Sequence, residues 1–342
     1  MKAVVLDRFG GPDVLTYRDV ADPEPDPGDV VIRLDHAALN HLDLEIRNGH
    51  SGMTVTFPHV LGTEGVGDII ALGADVEGWE VGQRVGTFAF RTCGDCPGCR
   101  AGRENMCARV TTLGGQHWGA YAELIRVREN QLVALPDALS YADAMAAYKL
   151  ATAWEGLVET AALSKGEKVL VTGAGGGVGS AAVVVAHHLG AHVIAATGSD
   201  DKNEKLRDLG AHEVINYATE PLADAVARLT GDDGLDAVFD VASGPNLVAG
   251  VRALRWGGRA VVVGAHGGER IEVDMVDLFR RHVAIHGCGR YTRAILESVF
   301  RMRCDDLPKP PVHETFPLAE AAAAQRVMEG RKFFGRLLLN IG

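Results

Sequence analysis

Four cysteines lie close together in the first half of the sequence and could hold a metal ion. They are Cys93, Cys96, Cys99 and Cys107, spaced C-x2-C-x2-C-x7-C. Four thiolates can complete a tetrahedral shell, the closed coordination of a structural zinc ion. An iron–sulfur cluster is one alternative, although its bacterial ligand pattern ends with three intervening residues and a proline, and unliganded thiols are another. The spacing predicts one structural zinc per chain.

A glycine-rich segment near the middle of the chain could bind phosphate. Residues 172–182 read T-G-A-G-G-G-V-G-S-A-A, between an apolar run typical of a strand and one typical of a helix. Backbone N–H groups at a helix N-terminus bind a pyrophosphate, and glycines allow its close approach. The segment is an alanine-first variant of the dinucleotide fingerprint, with a purely structural turn as the alternative. The candidate cofactor contacts in this loop are Ala174, Gly176, Gly177, Val178 and Gly179.

The end of the next predicted strand bears on the choice between NAD(H) and NADP(H). An acid at this point would bind an unphosphorylated ribose, but the strand ends at Thr197. Ser199, Lys202 and Tyr217 could hold a 2′-phosphate instead. The neighbouring acids at 200 and 201 would repel that phosphate unless they point to solvent or cap the following helix. The sequence favours NADP(H) over NAD(H).

The elements that must position these residues differ between the two halves of the chain. Residues 1–130 contain short runs that alternate apolar and polar residues, a pattern typical of half-buried antiparallel strands. From about residue 140, predicted helices alternate with predicted strands, which indicates a doubly wound parallel sheet. A helix is predicted over 141–162 and a late strand over 283–287. The fold class is therefore α/β, with a β-rich part and a parallel-sheet part.

Composition and charge limit the classes of function. The chain has 342 residues, 47% of them hydrophobic, and a formal net charge of −11, whereas general nucleic-acid binding needs a basic surface. No apolar stretch approaches the length of a transmembrane helix, and the first residues lack the apolar run of a signal peptide. We therefore expect two domains, a cytoplasmic location, and neither nucleic acid nor membrane as a partner.

The order of these motifs resembles the medium-chain dehydrogenase/reductase superfamily, which includes zinc alcohol dehydrogenases and quinone oxidoreductases. The likeness covers nearly the whole chain, with further landmarks in 38–43, 62–65, 152–154 and 334–336. It implies a GroES-like catalytic domain over 1–135 and 289–342, with the zinc lobe at about 91–110, and a Rossmann nucleotide-binding domain over 136–288. It also implies a homodimer or homotetramer. The further cofactor contacts that it implies are Thr152, Val263, Gly264 and Phe334.

The sequence departs from the zinc alcohol dehydrogenases at their catalytic metal. Where that family supplies a cysteine, a histidine and a third cysteine or acid, this chain has Asn40, Thr63 and, by approximate alignment, Tyr148. Their neutral oxygens are poor zinc ligands, and only Glu64 of the usual Gly-His-Glu run remains. The pattern resembles the zinc-independent quinone and enone reductases, with the structural zinc kept.

Without a Lewis acid, the expected substrates are conjugated acceptors, because a quinone or an α,β-unsaturated carbonyl delocalises the charge that hydride brings. Hydrogen-bond donors would stabilise the enolate. The candidates are Asn40, His41, Thr63, Tyr148 and Lys149, although Asn40 could simply cap the helix that begins at His41, and the other residues could be surface or packing residues. We expect an NAD(P)H-dependent reductase of small carbonyl, enone or quinone substrates. An alcohol dehydrogenase with unusual metal use, an acyl-CoA reductase and a non-catalytic nicotinamide-binding protein are the alternatives.

Overall fold

The computed structural model describes all residues from Met1 to Gly342. The chain divides into two compact units. The first unit contains Met1–Tyr148, Thr292–Asp305 and Val312–Gly342, and the second contains Lys149–Tyr291 and Asp306–Pro311.

The strands are short in the first unit and regularly spaced in the second. In chain order they are β1 (Lys2–Leu6), β2 (Leu15–Asp19), β3 (Asp29–Ala38), β4 (His59–Val60), β5 (Gly65–Leu72), β6 (Arg84–Thr87), β7 (Phe90–Arg91), β8 (Thr111–Thr112), β9 (Leu124–Arg128), β10 (Leu132–Ala134), β11 (Lys168–Val171), β12 (His192–Thr197), β13 (Glu213–Asn216), β14 (Leu235–Asp240), β15 (Leu254–Val262), β16 (Ala284–Gly287), β17 (Val312–Pro317) and β18 (Arg336–Asn340).

Ten α-helices connect the strands, and none of them is both long and apolar enough to cross a membrane. They are α1 (His41–Asn48), α2 (Pro97–Arg100), α3 (Tyr141–Trp154), α4 (Gly177–His188), α5 (Asn203–Asp208), α6 (Leu222–Thr230), α7 (Pro245–Arg252), α8 (Met275–Arg280), α9 (Arg293–Asp305) and α10 (Ala321–Glu329).

The first unit is built on β-sheets around one apolar core. Its largest sheet follows the order β10-β6-β5-β3-β18-β17, and β9 also pairs with β3. A three-stranded sheet, β2-β1-β4, and a two-stranded sheet, β7-β8, complete it. Because β18 pairs antiparallel with β3, the C-terminal strand belongs to the sheet that the N-terminal segment begins.

The second unit is a doubly wound parallel sheet, which confirms the fold class predicted from the alternating pattern. Its order is β13-β12-β11-β14-β15-β16, and every neighbouring pair is parallel. Strand β11 is almost entirely buried, as expected of a strand covered by helices on both faces. The order reverses between β11 and β14, and ligands bind at such a switch point, outside the carboxyl ends of the strands.

The helix predicted over 141–162 is shorter than expected. α3 ends at Trp154, and a π-helical segment continues from Glu155 to Thr160. Apolar periodicity cannot separate these two forms, because one extra residue per turn leaves most of the apolar side chains buried. The predictions also missed the short strands β4, β7, β8 and β10, strand β17, and helices α2 and α8.

Candidate functional site

The four clustered cysteines converge on one point in the first unit. Their sulfur atoms all lie within 4.8 Å of one another. The Sγ–Sγ separations are 3.5 Å for Cys96–Cys99 and Cys107–Cys93, and 3.9 Å for Cys93–Cys99. A tetrahedron with Zn–S bonds of about 2.3 Å has edges of about 3.8 Å, so the sulfurs match a zinc ion. No other group of three or more potential ligands of this kind occurs in the described chain.

Local backbone geometry explains how so short a segment brings the sulfurs together. The backbone turns at Gly94 and Gly102, both with positive φ, and helix α2 between them begins with Pro97 at a position that needs no N–H donor. The backbone N–H of Cys93 donates to the Cys107 sulfur at 3.4 Å. The β7-β8 pair closes the base of the lobe. Cys288 and Cys304 lie outside this cluster.

Asn40 and Thr63, the first two positions where the resemblance places zinc ligands, contact each other directly. The Asn40 side-chain amide donates to the Thr63 hydroxyl oxygen at 2.7 Å. Asn40 is half-buried and Thr63 is buried. Asn40 also precedes helix α1, where its backbone N–H donates to the Asp43 carboxylate at 2.7 Å. The expectation that Asn40 stands at the start of a helix is confirmed. Its side chain donates the hydrogen bond to Thr63.

Asp43 connects three segments of the first unit through hydrogen bonds, a role that was not predicted from the sequence. Its carboxylate also accepts from the Gly62 backbone N–H at 3.2 Å and from the Tyr121 hydroxyl at 3.0 Å. Burial raises the pKa of Asp43 to about 7, although the hydrogen bonds favour the ionised form. The capping-box spacing between Asn40 and Asp43 could have identified this acid.

Glu64 and Tyr148 are both buried. The Glu64 carboxylate is paired with Arg336, and both side chains are at most 3% exposed. Tyr148 is fully buried, and its hydroxyl lies 3.0 Å from the carbonyl oxygens of Gly65 and of Thr87. The structure therefore gives Tyr148 a packing role, and it does not support the expectation that this hydroxyl donates to substrate.

The remaining predicted side chains divide between the two units. His41 is the first residue of α1 in the first unit, and Phe334 is a buried residue just before β18. Lys149 and Thr152 follow on α3, in the second unit, and both are half-buried. Only Asn40 and Thr63 of the catalytic candidates are brought into direct contact by a described hydrogen bond.

The glycine loop has the geometry of a phosphate cradle in the second unit. It leaves the carboxyl end of β11, and helix α4 begins at Gly177, so Gly177, Val178 and Gly179 form its first turn. A Cβ on Gly179 would lie 2.3 Å from the Gly173 carbonyl oxygen, so only glycine allows this packing. A Cβ on Gly176 would meet nothing closer than 3.6 Å, which leaves the approach to the helix N-terminus open.

The structure brings Lys202 and Tyr217 to the same edge of the sheet. A Cβ on Gly175 would lie 2.5 Å from the Lys202 side chain, and a Cβ on Gly198 would lie 3.1 Å from the Tyr217 ring. Burial lowers the pKa of Lys202, because the desolvated ammonium lacks part of its water shell. Ser199, in extended backbone, directly precedes the turn that carries Lys202.

The two acids of this turn have partners of their own. The Asp200 carboxylate accepts from the side-chain amides of Asn203 at 3.1 Å and Asn216 at 2.9 Å. A hydrogen bond from the Ser199 hydroxyl lowers the pKa of Asp201. Asp200 is therefore directed to neighbouring amides, whereas Asp201 is exposed and hydrogen-bonded to Ser199.

A buried polar cluster at the switch point was not predicted. The Thr172 hydroxyl donates to Asp240, whose carboxylate also accepts from the Ser243 backbone N–H at 2.6 Å. Burial raises the pKa of Asp240. The backbone N–H of Val263 donates to the Asp240 carbonyl at 2.8 Å, and a Cβ on Gly264 would lie 2.6 Å from the Val241 carbonyl. The predicted contacts Val263 and Gly264 thus lie at the carboxyl end of β15.

Comparison with known protein families gives two matches in chain order. Residues 26–137 match the alcohol dehydrogenase GroES-like domain, and residues 177–302 match the zinc-binding dehydrogenase family. The L-threonine 3-dehydrogenase of Shewanella sp. (strain ANA-3) is 30% identical over 83% of each chain. The quinone oxidoreductase of Sus scrofa is 28% identical over 99% of this chain and 97% of its own.

Two further similarities differ in extent. A solved NAD-dependent alcohol dehydrogenase covers 100% of both chains with 38% identity and a TM-score of 0.94. The mycocerosic acid synthase-like polyketide synthase of Mycobacterium tuberculosis is 30% identical over 93% of this chain, but the chain spans only 14% of the length of that synthase.

Proposed function

Because the chain belongs to the medium-chain dehydrogenase/reductase superfamily of NAD(P)-dependent oxidoreductases, we propose that it reduces quinones or α,β-unsaturated carbonyl compounds with NADPH. The hydrogen bond between Asn40 and Thr63 carries this proposal, since it occupies the two positions where zinc alcohol dehydrogenases supply thiolate and imidazole. Zinc prefers those ligands, or carboxylate, over neutral amide and hydroxyl oxygens. The oxygens of Asn40 and Thr63 therefore do not fit a catalytic zinc. They do fit a conjugated substrate, which delocalises the charge of the incoming hydride by itself.

Thr63 supplies the stabilising group in this reaction. When bound, NADPH supplies the hydride. The Thr63 hydroxyl oxygen accepts from the Asn40 amide, so that the hydroxyl proton is directed elsewhere. We assign this proton to the substrate oxygen, where negative charge develops as the enolate or hydroquinone anion forms, because a fixed donor stabilises such charge without reorganising. Asn40 is then a positioning residue, and water supplies the final proton.

The preference for NADPH rests on the second unit. The glycine loop and the N-terminus of α4 bind the pyrophosphate, and Ser199, Lys202 and Tyr217 bind the 2′-phosphate. Lys202 is supported by its position against Gly175, since the loop already orders the long side chain before the cofactor arrives. The four cysteines hold a zinc ion that stabilises its lobe and takes no part in the reaction.

A substrate panel with matched saturated controls tests the reaction class. NADPH consumption is measured with 1,4-benzoquinone, cyclohex-2-enone and cyclohexanone, and alcohol oxidation is measured with NADP⁺ and NAD⁺. We expect turnover with the conjugated acceptors and little with cyclohexanone. Thr63→Val should lower kcat/KM for cyclohex-2-enone roughly 100-fold, as removal of one oxyanion donor does, whereas Thr63→Ser should retain most of it.

Three other outcomes would each contradict a different part of the proposal. Alcohol oxidation that requires added metal would favour the alcohol dehydrogenase alternative. Tight NADPH binding without turnover of any conjugated acceptor would favour a non-catalytic binding protein. Normal activity of Thr63→Val would leave the reaction class in place and remove Thr63 from it.

A further inference from the structure

A second cavity lies within the first unit, away from the residues assigned above. Its volume is about 500 Å³, within the usual range of small-molecule sites. Arg91, Arg126 and Arg128 line it, together with Trp118 and the acids Asp29 and Glu24. Neither the clustered cysteines nor Asn40 and Thr63 contribute to its wall. Three guanidinium groups around one cavity stand out in a chain whose net charge is −11.

The alternation of strand β9 places two of the arginines on one face. Ile125 and Val127 are buried in the core, whereas Arg126 and Arg128 point to the opposite face, as residues two apart on a strand must. β9 pairs with β3 in a register that sets Arg128 opposite Asp29. The pairing of the two strands therefore fixes both arginines and their shared acid.

These two arginines are only partly neutralised. The Asp29 carboxylate forms ion pairs with Arg128 Nε at 3.1 Å and with Arg126 Nε at 3.4 Å. Arg126 Nη1 also donates to Asp26 at 2.8 Å, and Arg128 Nη1 donates to the Pro27 carbonyl at 2.8 Å. The Nη2 group of each arginine has no acceptor within the chain, so both still have donors for a ligand.

Arg91 lacks a direct protein partner for its charge. Its side chain takes part in no ion pair and no hydrogen bond, although it is half-buried. Burial and the like charges of Arg128 and Arg126 outweigh the attraction of Asp29 and lower the pKa of its guanidinium, which nevertheless stays protonated. The close contacts of Asp29 are with the other two arginines, and Glu24 is exposed. An unpaired, partly desolvated cation of this kind is stabilised when an anion binds.

We propose that this cavity binds a small organic phosphate, with the phosphate group on Arg91 and on the Nη2 groups of Arg126 and Arg128. Guanidinium groups match phosphate oxygens in geometry and can each donate two hydrogen bonds. The organic part of the ligand would lie against Trp118, whose indole N–H donates to the Pro58 carbonyl at 2.9 Å and so holds the ring in place. Leu113 and Leu124 add apolar surface.

Calorimetric titration with inorganic phosphate and with phenyl phosphate tests this proposal, at ionic strength held constant with sodium chloride. We expect both to bind, phenyl phosphate more tightly because its ring contacts Trp118. Arg91→Gln should weaken both at least tenfold. Arg8→Gln, which removes an exposed arginine elsewhere in the first unit, should leave both affinities unchanged.

A second measurement covers the case in which Arg91→Gln does not fold. Phenylglyoxal modifies accessible arginines, and peptide mass spectrometry of the unmutated protein locates them. Phosphate should slow modification of Arg91 and not of Arg8, whereas chloride should slow neither. Equal rates at Arg91 with and without phosphate would overturn the proposal. So would phosphate binding that survives Arg91→Gln and disappears in Lys202→Ala.

Discussion

Glu64 is the one residue that remains of the Gly-His-Glu run in which zinc alcohol dehydrogenases carry a ligand of their catalytic metal. In this chain its carboxylate is already paired with Arg336, in a place where neither side chain reaches water. Arginine cannot release its proton, so a metal at Glu64 would leave a buried guanidinium without its partner. Breaking a buried ion pair costs about 3–5 kcal/mol. This cost opposes metal binding at Glu64, in addition to the loss of the cysteine and histidine ligands.

Replacing Lys202 by alanine should weaken NADPH more than NADH. Only NADPH carries the 2′-phosphate, and a charge-assisted hydrogen bond to it is worth about 1.5–3 kcal/mol. The Kd of NADPH should therefore rise roughly 10- to 100-fold, while that of NADH changes little. Fluorescence titration of the two reduced cofactors measures both values.

Lys165→Ala is the matched control, since it removes an exposed lysine just before β11, near the amino ends of the strands. It should change neither Kd. An equal loss for both cofactors in Lys202→Ala would show that Lys202 does not distinguish them, and Asp201 beside Ser199 would then be the residue to examine for NADH preference.

The cysteine lobe has too few buried apolar residues to be stable by packing alone. Between residues 93 and 110 only Cys96 and Cys107 are buried. Its one helix, α2, has four residues, too few to be stable without tertiary contacts. A zinc ion held by the four cysteines would replace the core that this segment does not have.

Replacing Cys96 by serine should remove the metal and lower the melting temperature. Metal analysis of the unmutated protein should return one zinc per chain, and none in Cys96→Ser. We expect the Tm to fall by about 5 °C or more, since roughly 2 kcal/mol corresponds to such a shift in a domain of this size. Reductase activity at low temperature should persist.

Cys304→Ser controls for the substitution, because Cys304 is exposed and outside the cluster. It should keep both the zinc and the melting temperature. Two zinc ions per chain, or a chelator that stops turnover while the melting temperature holds, would contradict a purely structural metal.

Elements with strict local requirements were predictable from the sequence, and side-chain partners were not. The glycine loop and the cysteine ladder each need particular residues at fixed spacing, so both were found. The sequence left both packing and catalysis open for Tyr148, because its acceptors on Gly65 and Thr87 are distant in sequence. The cluster around Asp240 was missed for the same reason. Its partner Thr172 follows β11, whereas Asp240 ends the neighbouring strand β14.

At the scale of the whole molecule, the alternation of helices and strands was enough to predict a β-rich part and a doubly wound parallel sheet. The GroES-like and Rossmann architecture was predicted from the family resemblance, and the family matches confirm it. Substrate choice did not follow, because it depends on the shape of a pocket that no local pattern encodes. The arginines around the second cavity lay equally out of reach, since Arg91 and Arg128 are brought together only by the fold.

One edge of the parallel sheet is exposed and surrounded by apolar side chains. β16 is the last strand in the sheet order, and its outer side has no neighbouring strand. Ile285 on this strand is 36% exposed, and Met275 and Phe279 on α8 are more than half exposed. An unprotected edge of this kind favours pairing with another strand, and an isologous dimer joins two such edges in a closed contact.

The chain should therefore assemble through β16, and Ile285→Lys should interrupt that assembly. We expect light scattering to give two or four times the 36.3 kDa of one chain for the unmutated protein. A lysine on the edge strand should shift the mass toward 36.3 kDa, because pairing would bring two like charges into an apolar contact. Val81→Lys is the control, since Val81 is 64% exposed in the first unit, and it should not change the mass. A monomeric unmutated protein would contradict assembly altogether, whereas an intact oligomer of Ile285→Lys would place the interface on another surface.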